Sequence, residues 1–399
     1  MPARVRIRLL GALVVALVAG CTSAPDGSSS AGSSATTRSS TPSASTSPAP
    51  TASDGHEDRV TAALAALDPR ERVAQLFVVG VRLDDLSPGD ELATSGLGGL
   101  FLAGRSPASA ADLAAVTAGW QSSAPGPGLW VATDQEGGQV QALQGPGFQR
   151  LPSALQQGAL PPPDLATLAD GMGAALHSAG INVDLAPVAD VVPAGTAAGN
   201  APIGAFDRQY GATGAAVAAA AGTIVQGLAA HQVTATLKHF PGLGRVRANT
   251  DTSAEVTDAV TAAGDDQVSA FGSLLRSPAH PFVMVSSAVY TRIDATAQAA
   301  FSPAVVTGLL RNQLGFDGVV ISDDLADAKA VRALPPGERA IRFLAAGGTL
   351  VLTVDAAIVP GMLDAVLART KADPAFAAAV DGAVRTTLLA KARAGLLVG

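Results

Sequence analysis

Two adjacent carboxylates, Asp323 and Asp324, come shortly after the apolar run Val319–Ile321. Three β-branched residues in a row predict a buried strand, so both carboxylates stand at its carboxyl end. A parallel sheet or barrel presents its reactive groups at that end. A carboxylate there could attack a substrate as a nucleophile or hold a metal ion. Alternatively, such a carboxylate could cap the amino terminus of the following helix, a role that suits Asp324.

Polar groups also follow three earlier predicted strands. Residues 134–140 read Asp-Gln-Glu-Gly-Gly-Gln-Val, an acidic cluster beside a glycine pair. Such a cluster could bind hydroxyl groups, or it could form a solvated turn. Lys238 and His239 stand together before Pro241-Gly242. Asp190, after another strand, could support a neighbouring side chain rather than contact a substrate.

Carboxylates on several loops of one barrel mouth suit the hydrolysis of a glycosidic bond. One carboxylate attacks the anomeric carbon, and a second group gives a proton to the leaving oxygen. The sequence contains neither a His-x-x-Glu-His type of metal-ligand set nor a serine in Gly-x-Ser-x-Gly. Metal-assisted hydrolysis and acyl transfer are therefore the weaker interpretations.

The elements that must position these groups alternate strictly between short β-rich runs and Ala-rich helical stretches. The predicted strands are Leu76–Val79, Gly99–Leu102, Leu129–Thr133, Ile181–Leu185, Thr234–Leu237, Phe282–Ser286, Val319–Ile321 and Leu350–Val354. Helices are predicted near Asp58–Leu67, Ala108–Gln121, Asp164–Ala179, Ala212–Ala230, Asp265–Leu275, Pro303–Gln313, Pro336–Ala345, Met362–Thr370 and Phe376–Ala394. Eight strands in this alternation predict a single α/β domain, a (β/α)8 TIM barrel, over residues 56–399. A doubly wound open sheet is the alternative, because periodicity does not show closure.

The amino terminus has the pattern of an exported protein. Three arginines precede an apolar run over residues 9–18, which is too short for a comfortable membrane span. Small residues then precede Cys21, the one cysteine of the chain. This pattern resembles a bacterial lipobox and predicts a signal peptide over residues 1–20 with lipidation of Cys21. An ordinary signal peptide with a chance cysteine is the alternative.

Residues 21–55 are dominated by Ser, Thr, Ala, Pro and Gly, which predicts a disordered tether. We therefore expect a protein anchored by lipid to the cell membrane and facing its extracytoplasmic side. A net charge of −7 without a basic patch argues against nucleic acid as a partner. We expect a monomer.

Three motifs resemble those of glycoside hydrolase family 3, in particular its single-domain β-N-acetylglucosaminidases of the NagZ type. They are Leu309–Gln313 with Gly318–Asp324, which resembles the nucleophile signature, Asp134–Gly138, and Lys238–Gly242. The three occur in the family's order and span most of the chain, so the resemblance is specific. It implies a barrel, a glycosidase that retains anomeric configuration, and neither metal nor cofactor.

The resemblance also implies roles for individual residues. Asp323 would be the nucleophile that forms a covalent glycosyl-enzyme. Asp134, Lys238 and His239 would bind sugar hydroxyls. Arg208, in a segment similar to the family's Arg-Ser-Phe-Gly, would bind substrate as well.

The sequence departs from the family's pattern in three places. Relatives carry Asp-Ser-His on the loop after Lys-His-Phe-Pro-Gly, with the histidine as acid/base, whereas this chain has Asn249, Thr250 and Asp251. Asp251 stands where that histidine would be, and we predict that it is the acid/base. Ala142 replaces a family arginine, and Thr349 replaces an aspartate of the eighth strand.

Two classes of function remain open at this point. The first is a retaining exo-β-N-acetylglucosaminidase acting on peptidoglycan (muropeptide) fragments, or a related β-glycosidase or glycoside phosphorylase. The second is a carbohydrate-binding lipoprotein that kept the pocket and lost catalysis. Since Asp323 and Asp134 are both present, we favour the enzyme.

Overall fold

The computed structural model describes residues 52–397, and eight parallel strands form the centre of this part of the chain. They are β1 (Phe77–Arg82), β2 (Gly99–Ala103), β3 (Trp130–Thr133), β4 (Val183–Asp184), β5 (Thr234–Phe240), β6 (Phe282–Val285), β7 (Val320–Ser322) and β8 (Val351–Thr353). Each strand from β1 to β6 pairs with the next, and β1 also pairs with β8. A parallel bridge between Ile321 and Leu350 joins β7 to β8 and closes the barrel. The predicted (β/α)8 barrel is confirmed, and all eight predicted strands overlap a barrel strand.

Helices separate and surround these strands. They are α1 (Ala52–Ala66), α2 (Pro69–Ala74), α3 (Pro88–Thr94), α4 (Ala110–Ser123), α5 (Ala154–Gln157), α6 (Pro162–Ser178), α7 (Gly214–Ala230), α8 (Asp266–Leu274), α9 (Pro336–Ala345), α10 (Val359–Ala372) and α11 (Pro374–Arg393). The helix predicted near 303–313 is present as Ala304–Gln313, but with π rather than α hydrogen bonding. A pattern of apolar residues marks one face of a helix and does not distinguish these two spacings.

Local sequence signals set several of these helix boundaries. Ser109 accepts the backbone N–H of Asp112, and the Asp112 side chain accepts that of Ser109, which forms a capping box at the start of α4. Asp373 caps α11 by accepting the N–H groups of Ala375 and Phe376. Such caps satisfy donors that a helix start otherwise leaves unpaired.

Alternating strand residues divide the core into two parts. One set fills the barrel interior, where Trp130 and Phe282 meet edge to face with ring centroids 5.2 Å apart. The opposite set packs against the surrounding helices. Ala390 and Ala394, at the end of α11, also pack against the interior set, so this helix covers the bottom of the barrel.

The loop after β5 lies close to the loop after β4, and Gly244 makes this approach possible. A Cβ atom at Gly244 would stand 1.9 Å from the carbonyl oxygen of Val191, far inside van der Waals contact. Residues 242–258, which carry the predicted acid/base, are therefore held against the barrel top from their beginning.

The first 51 residues lie outside the described part, so the predicted signal peptide, Cys21 and most of the predicted tether have no structural account here. Helix α1 begins at Ala52, within the last residues of the predicted tether. None of the helices between residues 52 and 397 is long and apolar enough to cross a membrane.

Candidate active site

A cavity of about 480 Å³ opens at the carboxyl ends of the barrel strands. All six residues predicted for catalysis or sugar binding line it, namely Asp134, Arg208, Lys238, His239, Asp251 and Asp323. Apolar side chains of the barrel interior line it as well: Phe101, Leu185, Met284 and Leu352. An apolar pocket with a few convergent polar groups is the usual form of a small-molecule site.

Asp323 follows β7 directly and is partly buried in this cavity. Its Oδ1 accepts the backbone N–H of Asp324 at 2.9 Å. Burial raises the pKa of Asp323 to about 6; the charge of His239 opposes the rise, and that of Asp251 adds to it. The carboxylate is therefore mostly ionised at neutral pH, as a nucleophile must be, and its hydration is incomplete.

Asp134, after β3, and Lys238, in β5, form an ion pair at the cavity wall. The Lys238 Nζ atom lies 2.6 Å from Asp134 Oδ1 and 2.7 Å from Glu136 Oε1. Arg208 completes the cluster, because its Nε and Nη2 atoms donate to the two Glu136 oxygens at 2.9 and 2.7 Å. Two carboxylates and two cations thus neutralise one another, with only the Asp134 side chain notably exposed, at 31%.

Glu136 is a member of this cluster whose role the sequence did not reveal. Burial alone would raise its pKa, but the charges of Arg208 and Lys238 outweigh burial and hold the pKa of Glu136 at about 2. The predicted binding residue Arg208 is consequently anchored by Glu136, and its Nη1 donates to the Pro202 carbonyl. Glu136 lies two residues after Asp134, and that spacing was the one signal that could have placed both side chains together.

His239 is held by Asp190. The imidazole Nδ1 lies 2.8 Å from Asp190 Oδ2, while Asp190 Oδ1 accepts the backbone N–H groups of His239 and Leu243. Asp190 is fully buried and does not line the cavity, so it supports a neighbour as expected. With Nδ1 directed at Asp190, the Nε2 atom is the nitrogen available to a ligand.

Asp251 is exposed and lines the cavity. The turn around it is capped by Asn249, whose Oδ1 accepts the N–H of Asp251 at 2.8 Å and whose carbonyl accepts those of Thr252 and Ser253. The Asp251 carboxylate itself accepts no hydrogen bond from the residues between 52 and 397. Because Asn249 does the capping, the side chain of Asp251 is free to meet a substrate.

The two other departures from the family's pattern have different structural consequences. Ala142 is buried, and its N–H donates to the Asp134 carbonyl, so it braces the segment after β3. Thr349 Oγ1 accepts a hydrogen bond from Arg311 Nη2 at 3.0 Å and another from the N–H of Val320 at 3.2 Å. Thr349 thus positions the start of β7, away from the cavity.

Comparisons with known proteins agree with this arrangement. Residues 69–388 match the model of the glycosyl hydrolase family 3 N-terminal domain. The chain belongs to glycoside hydrolase family 3, and it is a glycoside hydrolase.

Its relatives within the family include β-hexosaminidases and a β-N-acetylhexosaminidase. The β-hexosaminidase LpqI of Mycobacterium tuberculosis is 33% identical over 338 residues, which cover 80% of this chain and 82% of that protein. A β-hexosaminidase of Stenotrophomonas maltophilia is 32% identical over 309 residues, 74% of this chain and 88% of that protein. The crystal structure of a β-N-acetylhexosaminidase from Beutenbergia cavernae superposes with a TM-score of 0.77 at 48% identity, covering 82% of this chain and 99% of that one. The structure of LpqI superposes with a TM-score of 0.72 at 30% identity, covering 82% and 95%.

Proposed function

We propose that this glycoside hydrolase is a retaining exo-β-N-acetylglucosaminidase that removes terminal β-linked N-acetylglucosamine. The observation that supports this most directly is the gathering of Asp323, Asp251 and the Asp134–Lys238 pair around one cavity at the carboxyl ends of the strands. The names of its relatives, β-hexosaminidase and β-N-acetylhexosaminidase, support the choice of sugar.

The proposed reaction proceeds in two displacements. In the first, an oxygen of Asp323 attacks the anomeric carbon, the glycosidic bond breaks, and Asp251 gives its proton to the leaving oxygen. In the second, water attacks the anomeric carbon, Asp251 takes a proton from that water, and the bond to Asp323 breaks. Each displacement inverts the anomeric centre, so two restore the original configuration.

The charged cluster beside the nucleophile would bind the sugar. Asp134 is its most exposed member and Lys238 its neighbouring donor, so the pair offers an acceptor and a cation to adjacent hydroxyl groups. His239 would add its Nε2 atom, and Arg208 the remaining N–H groups of its guanidinium. Because the cluster is already hydrogen-bonded without a ligand, it is organised before the sugar arrives.

The chemistry is tested with residues 52–399 and a pair of chromogenic substrates. A β-N-acetylglucosaminide should release its aryl group much faster than the matching β-glucoside. A mechanism-based fluorosugar should label Asp323, and mass spectrometry of the digested protein would locate the label. Release from neither substrate would favour a carbohydrate-binding protein, and labelling of Asp324 would contradict the assignment of the nucleophile.

The role of Asp251 is tested by leaving-group dependence. Asp251→Ala should lose far more activity on a natural disaccharide than on an aryl glycoside, whose phenol leaves without full protonation. Azide should restore turnover of the aryl substrate, because it attacks the glycosyl-enzyme without a base. Equal losses on both substrates without azide rescue would assign the acid/base to another group.

We further propose that the substrate is a peptidoglycan (muropeptide) fragment and that the enzyme is a monomer anchored to the extracytoplasmic face of the membrane. The anchor rests on the pattern of small residues before Cys21. Stable anchoring takes more than one acyl chain, so Cys21 would carry several. Cys21→Ala should abolish fatty-acid labelling and release the protein from the membrane fraction. Unchanged labelling and fractionation would show that Cys21 is not the lipid attachment site.

A further inference from the structure

Asp324, the residue after the proposed nucleophile, is fully engaged with backbone donors. Its Oδ1 accepts the N–H groups of Ala326 and Val354, both at 3.0 Å. Its Oδ2 accepts those of Asp327 at 2.6 Å and Ala328 at 3.2 Å. Four donors on one carboxylate leave little capacity for a substrate, and they fold residues 325–328 into a turn tied to the end of β8.

The carbonyl groups of the same turn are held from the other side by Arg339 of α9. Its Nη1 atom donates to the Leu325 and Ala326 carbonyls at 2.7 and 3.1 Å, and its Nε to the Leu334 carbonyl at 2.7 Å. Arg339 is buried, at 6% exposure. The turn is thus fixed on its N–H side by a carboxylate and on its C=O side by a guanidinium.

The acid/base loop pairs with the residues directly after this turn. The N–H of Lys329 donates to the Asp251 carbonyl at 3.1 Å, and that of Ala330 donates to the Thr250 carbonyl at 3.0 Å. The side-chain amide of Gln298 donates to the Ala330 carbonyl and so helps to hold residues 329 and 330 in place. The backbone of Asp251 is therefore placed by the segment that Asp324 folds.

We propose that Asp324 is a positioning residue that sets Asp251 opposite the nucleophile Asp323. This inference rests on the proposed role of Asp251 as acid/base. Asp324 acts through the backbone of residues 325–330 and neither binds the sugar nor transfers a proton. Since Asp323 and Asp324 are adjacent, one short segment carries the nucleophile and also holds the loop that supplies the proton.

The variant Asp324→Asn tests this role. It keeps the size of the side chain and one acceptor oxygen, but it turns an NH₂ group toward two of the four backbone donors. Residues 325–330 should shift, and Asp251 with them, while the backbone N–H of Asp324 that contacts Asp323 remains. A misplacement of about 1 Å can cost on the order of a hundredfold in rate.

The measurement is kcat/KM on a β-N-acetylglucosaminyl disaccharide and on an aryl glycoside, with and without azide. We expect the loss of kcat/KM in Asp324→Asn to be about tenfold or more greater on the disaccharide than on the aryl glycoside. Azide should raise the turnover of the aryl glycoside by this variant. The matched control is Asp355→Asn, which alters a capping carboxylate after β8 that accepts the N–H of Ala357. It should change both rates by less than about twofold.

Comparison with Asp251→Ala separates this inference from the function on which it rests. If Asp324 and Asp251 act on the same proton transfer, the double variant Asp251→Ala/Asp324→Asn should be no slower on the disaccharide than Asp251→Ala alone. A selective loss for Asp251→Ala but equal losses on both substrates for Asp324→Asn would reduce Asp324 to a structural residue and leave the acid/base assignment intact. No selectivity for Asp251→Ala would overturn both.

If Asp324→Asn does not fold, Gln298→Ala provides the same test from a residue that does not line the cavity. Removing one hydrogen bond to the Ala330 carbonyl should cost about threefold selectively on the disaccharide. Losses that are equal on both substrates would contradict the proposal.

Discussion

Replacing Asp323, the proposed nucleophile, should make the protein more stable as well as inactive, and the gain in stability should depend on pH. The folded state raises the pKa of Asp323 from 3.8 to about 6, chiefly through burial. Its neutral form is therefore favoured by folding and its ionised form is disfavoured. The stability that this carboxyl contributes is fully present below pH 3.8 and is lost as the pH rises through 6. An asparagine at this position has no proton to lose.

The size of the effect follows from the size of the shift. A rise of about two pKa units, at 1.36 kcal/mol each, corresponds to up to about 3 kcal/mol at pH 8. Asp323→Asn should therefore unfold at a temperature a few degrees higher than the parent at pH 8. Near pH 4, where the parent carboxyl is neutral in the folded state, the difference should almost disappear.

The assay is thermal unfolding of both proteins across pH 4 to 8, combined with turnover of an aryl β-N-acetylglucosaminide. The matched control is Asp327→Asn, a carboxylate lining the same cavity whose side chain is 71% exposed. It should show no gain that grows with pH. An Asp323→Asn protein no more stable than the parent at pH 8, or equally stabilised at pH 4, would refute the argument from burial. Residual turnover would refute the role of Asp323 as nucleophile.

Three further outcomes follow from the structure. Glu136→Gln leaves Arg208 and Lys238 without their shared buried carboxylate. It should lower the free energy of unfolding, measured by urea denaturation, by about 3 kcal/mol or more, and Asp134→Asn should lower it by less. Burial lowers the pKa of Lys391 to about 7, so the stability that this side chain contributes when neutral is lost as the pH falls through 7. Lys391→Met should therefore have a higher melting temperature than the parent at pH 7, and the difference should shrink toward pH 10. A difference in melting temperature that stays constant with pH would contradict this. Gly244→Ala forces a Cβ atom against the Val191 carbonyl and should lower kcat by displacing the loop that carries Asp251, which steady-state kinetics would measure.

The strands and most helices could be predicted because their signals are local. Runs such as Val319–Ile321 combine β-branched residues with flanking turn signals, and these suffice to place each end of a strand within three residues. Barrel closure depends instead on contacts between the first, seventh and eighth strands, here β1 with β8 and the Ile321–Leu350 bridge. Strict alternation of eight strands made closure the favoured prediction, although no single segment contains it.

The sequence predicted those site residues whose signal lies within a single segment of the chain. Asp134, Lys238 and Asp323 each come within two residues after a predicted strand, so the carboxyl-end rule identified them. The pairing of Glu136 with Arg208 joins residues 72 positions apart, and that of Asp190 with His239 joins residues 49 apart. Such pairs form only after the strands are arranged side by side, and a single sequence carries no signal for them.

The replacement of the family's loop histidine by Asp251 changes what the loop must do. A histidine is longer than an aspartate, so a loop that uses Asp251 as the proposed acid/base has to approach the substrate more closely to deliver a proton. The backbone pairing of Thr250 and Asp251 with Lys329 and Ala330 holds this loop against the segment that follows Asp323. Asn249, which stands where the family's pattern has an aspartate, caps the turn, and the Asp251 carboxylate accepts no hydrogen bond from residues 52–397. Backbone geometry therefore orients the proposed acid/base, without a side-chain partner among the described residues.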